Sequence, residues 1–214
     1  MKNILIIGAG RFGYHICKEL NTLDVEILMV DTDEVSLKEV DEFVSKTLIG
    51  DSSDIDFLKS LGINTFDECI VAIGDDFQSS LETVLNLKEL GAKRILARAS
   101  KGSQEKLLLK IGADKVIYPE KQLARWVALH TGTNSIYDFM ELDNNFNLYE
   151  VKVPKEWIDK TLAELDLRKN YNINILGIRI NGKLKIVLSP SFILKEDERI
   201  LLIAKEDDAK KIFK

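Results

Sequence analysis

Short, largely apolar runs alternate with segments in which apolar residues recur every three or four positions. This alternation fills the first two-thirds of the chain. The runs lie at residues 4–7, 27–30, 47–49, 69–73, 95–97 and 115–118. Runs of this length, β-branched and without polar alternation, predict strands buried on both faces, as in a parallel sheet. Between them, Leu81, Val84, Leu85, Leu87 and Leu90 fall at helical spacing over 77–90, and Gly91 stands where a helix end favours glycine. Residues 55–61 before Gly62, and 105–111 before Gly112, repeat the pattern. Asp33 is placed to cap a helix containing Ser36 and Leu37. Six strands with crossover helices predict an α/β fold, a Rossmann-like doubly wound parallel sheet.

The pattern then changes. Pro119 opens an amphipathic helix that Gly132-Thr-Asn ends, so residues 1–132 read as one domain with a crossover helix near 119–132. Residues 135–214 read as a small α+β domain. Its predicted strands are 137–142, 148–153, 175–180, 183–188 and 200–204, with a helix over 161–170 and a terminal helix over 207–213. Asn181-Gly182 separates two of these strands. That pair tolerates positive φ at both turn positions and predicts a type I′ hairpin.

The first apolar run leads directly into Gly8-Ala-Gly10-Arg11-Phe12-Gly13. A helical pattern and a second strand follow, and the strand ends at Asp31. Strand, glycine turn, helix, strand and acid is the order that a dinucleotide-type phosphate site requires. Gly8 allows the tight turn, Gly10 the approach of a phosphate, and Gly13 the close packing of helix on strand. The helix N-terminus attracts the anion, and Asp31 falls where a carboxylate accepts ribose hydroxyls.

A net charge of −5 argues against a general nucleic-acid binder, which needs a positive surface to neutralise phosphates. No apolar stretch is long enough to span a bilayer. The chain enters its first strand at once, which leaves no room for a signal peptide. Cys17 and Cys69 lack metal or redox spacing and read as core residues of a reducing cytosol. The two histidines, His15 and His130, read as structural or surface residues.

Other candidates fall at or just after the ends of the predicted strands, where an open α/β sheet binds its ligands. They are Thr32 and Asp33, Asp51 and Ser52 after Gly50, Ile73 and Gly74 before Asp75-Asp76, Arg98, and Glu120. Asp76 and Ser52 fit a helix cap or loop role equally well. Asp51 reads as an adenosine contact. Arg11, inside the glycine turn, is placed to fork onto terminal phosphate oxygens. No hydride-transfer pair accompanies the site, so the nucleotide reads as a regulatory ligand and the protein as no enzyme.

With Val30-Asp-Thr-Asp33, Gly50-Asp-Ser-Ser-Asp54, Val71-Ala-Ile-Gly74 and Tyr118-Pro-Glu-Lys121 beside the glycine motif, nearly the whole chain resembles the regulator-of-K⁺-conductance (RCK) family. It looks most like the cytosolic gating subunits of bacterial Ktr/Trk potassium transporters. That resemblance implies homodimers assembled into an octameric ring beneath a membrane-embedded transporter of KtrB/TrkH type. The protein would then be cytoplasmic and peripheral at the inner face of the membrane. The resemblance also implies ATP and ADP competing for the core site, with Arg11 on the γ-phosphate, Asp31 on ribose, and Asp51 and Arg98 lining the site. Glu120 matches a carboxylate that holds a divalent cation, Mg²⁺ or Ca²⁺, at the dimer interface. A cyclic di-AMP site in the second domain would use Leu162, Leu167, Arg168, Asn174, Ile175 and Pro190. The glycine motif and Asp31 equally permit an NAD(H)-binding Trk-type sensor or an NAD-linked oxidoreductase, and a stand-alone dimerising scaffold would bind no nucleotide tightly.

Overall fold

The central strand, β1 (Lys2–Ile7), is buried from Ile4 to Ile7 because both of its faces are covered. Ile4 and Ile6 pack in one core with Cys17, Met29, Leu37 and Val40. Leu5 and Ile7, pointing the other way by the two-residue period of a strand, pack in another with Leu58, Val71, Val84 and Leu87. The computed structural model describes residues 1–143 and 145–212. It divides into two compact units, Met1–Lys121 and Gln122–Lys214.

In the first unit β1 is followed by α1 (Arg11–Leu20), β2 (Val25–Asp31), α2 (Glu34–Val40), β3 (Lys46–Ile49), α3 (Ile55–Ser60), β4 (Glu68–Val71), α4 (Phe77–Glu89), β5 (Ile95–Arg98), α5 (Gly102–Ile111) and β6 (Lys115–Ile117). The strands form one parallel sheet in the order β3-β2-β1-β4-β5-β6. The chain runs outward from β1 to β3, then returns to β4 on the other side of β1. The topological switch point, where such sheets bind ligands, lies between the C-terminal ends of β1 and β4. The fourth strand ends at Val71, two residues before the expected end, which frees Ala72–Gly74 to line that point.

The helix α6 (Pro119–Gly132) crosses the division of the chain. The sequence pattern assigns it to the first domain, but its body belongs with the second unit. Trp126 Nε1 donates to Asp138 at 3.1 Å, Arg125 pairs with Glu141 and Glu206, and Leu129 packs on the second core. That unit continues with β7 (Ile136–Glu141), β8 (Phe146–Lys152), α7 (Leu162–Leu165), α8 (Leu167–Tyr171), β9 (Asn174–Ile180), β10 (Lys183–Lys185), β11 (Arg199–Lys205) and α9 (Glu206–Ile212). Its sheet is antiparallel, in the order β10-β9-β11-β8-β7. Asn181 (φ 48°) and Gly182 (φ 78°) make the expected turn.

Two expectations change here, and a third reaches beyond the described residues. The single helix over 161–170 is two short helices, broken at Asp166, whose φ of 38° is left-handed. The strand over 183–188 stops at Lys185, beside an irregularity in the pairing of β9 with β11. The terminal helix ends at Ile212 among the described residues, and the expected end at Phe213 lies outside them.

Candidate functional site

At the switch point lies a cleft of about 1040 Å³. Gly8, with φ of 105°, turns the chain out of β1. Gly13 then lets α1 lie against that turn, since a Cβ there would stand 1.9 Å from the Gly8 carbonyl oxygen. Gly10 caps α1 without a side-chain hydrogen bond, and the first turn of the helix holds no acid. Helices α2, α3 and α4 are capped by Asp33, Asp54 and Asp76. The N–H groups opening α1 are therefore left for an anion from elsewhere. A Cβ on Gly10 would meet nothing within 4 Å, so the turn faces open space.

Arg11 lines the cleft, is exposed, and makes no ion pair or side-chain hydrogen bond with the described residues. Asp31, ending β2, is doubly held: Ala9 N–H donates to its Oδ2 at 2.6 Å and Asp33 N–H to its Oδ1 at 2.9 Å. It pins the glycine turn to β2, and each oxygen keeps a lone pair for a ribose hydroxyl. After β3, Asp51 Oδ1 accepts from the amide of Ser53 at 2.9 Å and from its hydroxyl at 2.7 Å. These bonds, the hydroxyl's first, hold its carboxyl below the usual carboxylate range. Ser52 shares its hydroxyl with Thr83 at 2.7 Å. Ile73 and Gly74 follow β4.

Arg98, at the end of β5, is the most constrained cation. Its guanidinium lies 5.5 Å from the centroid of the Phe12 ring, and Nη2 donates to Glu120 Oε1 at 2.6 Å. A Cβ on Gly74 would stand 2.4 Å from its Nη1, so glycine is what admits the guanidinium. Its Nε is buried without a hydrogen-bond partner among the described residues. Glu120, in the first turn of α6, is held below the usual carboxylate range by its own backbone N–H and then by Arg98. Among the described residues no three His, Cys, Asp or Glu side chains converge as a metal site.

Of the residues expected here, Gly8, Gly10, Arg11, Phe12, Asp31, Thr32, Asp51, Ser52, Ile73, Gly74, Arg98 and Glu120 line one cleft. Gly13 does not; it packs beneath the turn. Asp33 does not either; it caps α2 by accepting from Val35 and Ser36 N–H. His15, Ser79 and Pro119 line the cleft unanticipated. The signal for His15 was its place four residues after Arg11, one turn along the same helix face. Ser79 stands three residues after the capping Asp76.

The second unit carries a smaller cleft of about 700 Å³, lined by Phe146, Arg168, Asn172, Asn174, Lys205 and Asp208. Only Arg168 and Asn174 of the six residues named for that domain line it. Leu167 is buried in the core, and Leu162 and Ile175 are half-buried against that core. Pro190 is exposed, its carbonyl accepting from Ala163 N–H.

A family model described as the TrkA-N domain matches residues 4–119, and one described as the TrkA-C domain matches 148–214. The chain is similar to Ktr system potassium uptake protein C of Bacillus subtilis (strain 168), 37% identical over 215 residues, spanning 100% of this chain and 96% of the relative. A structure described as the GsuK channel bound to NAD superposes with a TM-score of 0.69 at 18% identity, over 97% of this chain and 38% of that one. One described as GsuK bound to ADP does so with a TM-score of 0.54 at 18% identity, over 60% and 34%. The chain thus spans well under half the length of these GsuK structures, and at that identity the likeness is one of fold.

Proposed function

The chain belongs to the RCK family of TrkA/KtrA-type proteins, and from that premise we propose that it is the regulatory subunit of a bacterial potassium uptake system, gating K⁺ flux through a separate membrane transporter according to the adenine nucleotide in its first unit. The observation that carries the nucleotide reading is the unpartnered Arg11 beside the uncapped start of α1 and the open side of Gly10. A ligand shifts a conformational equilibrium only by the difference in its affinity for the two states. ATP and ADP differ by one phosphate, and Arg11 is the cation free to read it. Asp31 and Asp51 take the ribose and adenosine end.

No described helix is long and apolar enough to cross a membrane, in keeping with a subunit that works on a separate transporter. That partner is of KtrB/TrkH type, and the subunit acts on it as homodimers in an octameric ring, cytoplasmic and peripheral to the membrane. Glu120 would be this chain's ligand to Mg²⁺ or Ca²⁺, which would offset repulsion between facing polyphosphates and draw its other ligands from phosphate, water or a second copy. Arg168 and Asn174 are the residues of the second unit best placed for cyclic di-AMP phosphates. A second reading, a sensor of NAD(H), is favoured by the likeness to the NAD-bound channel and by Asp31.

Arg11→Ala tests the first reading. One charge-assisted phosphate contact contributes about 1.5–3 kcal/mol, so ATP affinity should drop by roughly one to two orders of magnitude and ADP affinity far less. Equal loss for both nucleotides sinks the role given to Arg11.

A further inference from the structure

His15 lines the nucleotide cleft, is exposed, and makes no hydrogen bond or ion pair with the described residues. It follows Arg11 by four positions on α1, where side chains are neighbours on one helix face, their Cβ atoms about 5–6 Å apart. Helical side chains lean toward the N-terminus, so both reach toward the end of α1 that collects the anion. The imidazole is braced: its ring meets Tyr14 edge-on at 5.3 Å and 87°, and Tyr14 meets Phe43 edge-on at 5.6 Å and 89°. A braced ring with both nitrogens unengaged, beside an unengaged guanidinium, matches a tetrahedral anion that offers several oxygens.

We infer that His15 is a second donor to the outermost phosphate of the bound nucleotide and, with Arg11, sets the preference for a triphosphate over a diphosphate. This rests on the nucleotide reading above. An imidazole differs from a guanidinium in one respect that can be measured. It gains its charge as the pH falls across the window from roughly 8 to 5, whereas arginine is charged throughout. The charged groups sharing the cleft with it are Arg11, Asp31, Asp51, Asp75, Asp76, Arg98 and Glu120, with Lys18 and Glu19 further along its own helix. These and the titration of the ligand's own phosphates are common to wild type and variant, so the comparison between the two isolates His15.

The test is calorimetric binding of ATP and of ADP to the full chain and to its His15→Ala and His15→Arg variants, at about pH 8 and pH 6. His15→Ala should lower the ratio of ATP to ADP affinity by roughly three- to tenfold at pH 6 and by less at pH 8, with the melting temperature unmoved. His15→Arg should restore the ratio at both pH values. A wild-type ratio in His15→Ala at both pH values, with Arg11→Ala still losing it, overturns the inference and leaves the nucleotide reading standing. A wild-type protein that binds neither nucleotide overturns both.

Discussion

Gly13→Ala and Gly10→Ala add the same methyl group three residues apart, and the structure assigns them opposite consequences. At position 13 the new carbon would stand 1.9 Å from the Gly8 carbonyl oxygen and 3.1 Å from its carbon. Both atoms are backbone, fixed at the junction of β1 and α1, so no side chain can swing aside. Relief requires α1 to withdraw from the sheet by about 1 Å through a close-packed interface. Overpacking of this kind costs about 1–3 kcal/mol when side chains can adjust, so about 3 kcal/mol is expected here. For a unit of this size that is a drop of roughly 10 °C in melting temperature. At position 10 the backbone has φ −65° and ψ −175°, which alanine adopts freely, and nothing lies within 4 Å. Gly10→Ala should therefore melt no lower than wild type, and a gain of about 0.4–1 kcal/mol is expected from the stiffer unfolded chain. Its methyl projects into the cleft where the phosphate approaches, so nucleotide affinity should fall by roughly tenfold or more, at least about 1.4 kcal/mol. Circular dichroism melts with and without nucleotide identify the transition of the first unit, and calorimetry gives the affinity. A Gly13→Ala protein melting within about 2 °C of wild type, or a Gly10→Ala protein keeping wild-type affinity, would refute the reasoning.

Two further predictions concern buried groups. Burial, and then the neighbouring Glu68, pushes the Cys69 thiol up to about 12, and burial raises that of Cys17. Neither should react with an aromatic disulfide reagent at pH 8 in the folded protein, and both should react once it is unfolded; rapid labelling of native protein would contradict this. Glu150 is buried on β8, gripped by Arg179 at 2.8 Å on each oxygen and approached by Arg199 at 3.5 Å. Those bonds, Arg179's first, hold its carboxyl below the usual range. A carboxyl lowered by folding contributes stability that is present above its unfolded pKa, about 4.3, and is lost as the pH falls through the folded value. Glu150→Gln should cost about 2 kcal/mol at neutral pH, because it removes the carboxylate that both arginines bond. It should also flatten the acid side of the second unit's stability profile. An unchanged acid limb would count against that assignment.

The doubly wound sheet was legible because its strands are continuous apolar runs, and the glycine turn because Gly8 and Gly13 answer steric needs seen in the fold, a positive φ and the close approach of α1, whereas Gly10 faces open space. The roles hidden from the sequence depend on partners far along the chain. Asp31 reads in the sequence as a candidate ribose acceptor, and its clamp on Ala9, 22 positions away, is seen only in the fold. Gly74 reads in the sequence as a candidate ligand contact, and its role in admitting the Arg98 guanidinium is seen only in the fold. The body of α6 carries no local sign that Trp126 and Arg125 bond to β7 and α9. The break at Asp166 was missed because periodicity reports the apolar face of a helix, not a left-handed residue within it. The local sign, a capping box from Thr161 to Glu164, marks the start of the short helix before that break.

The central claim is that the cleft takes ATP and ADP as regulatory ligands. Calorimetric titration of the purified full chain with ATP, ADP and NADH, each with and without Mg²⁺, tests it most directly. The account predicts that both adenine nucleotides bind more tightly than NADH and that the divalent cation changes the affinity for ATP more than that for ADP. A preference for NADH, or no measurable binding of either adenine nucleotide, would contradict it.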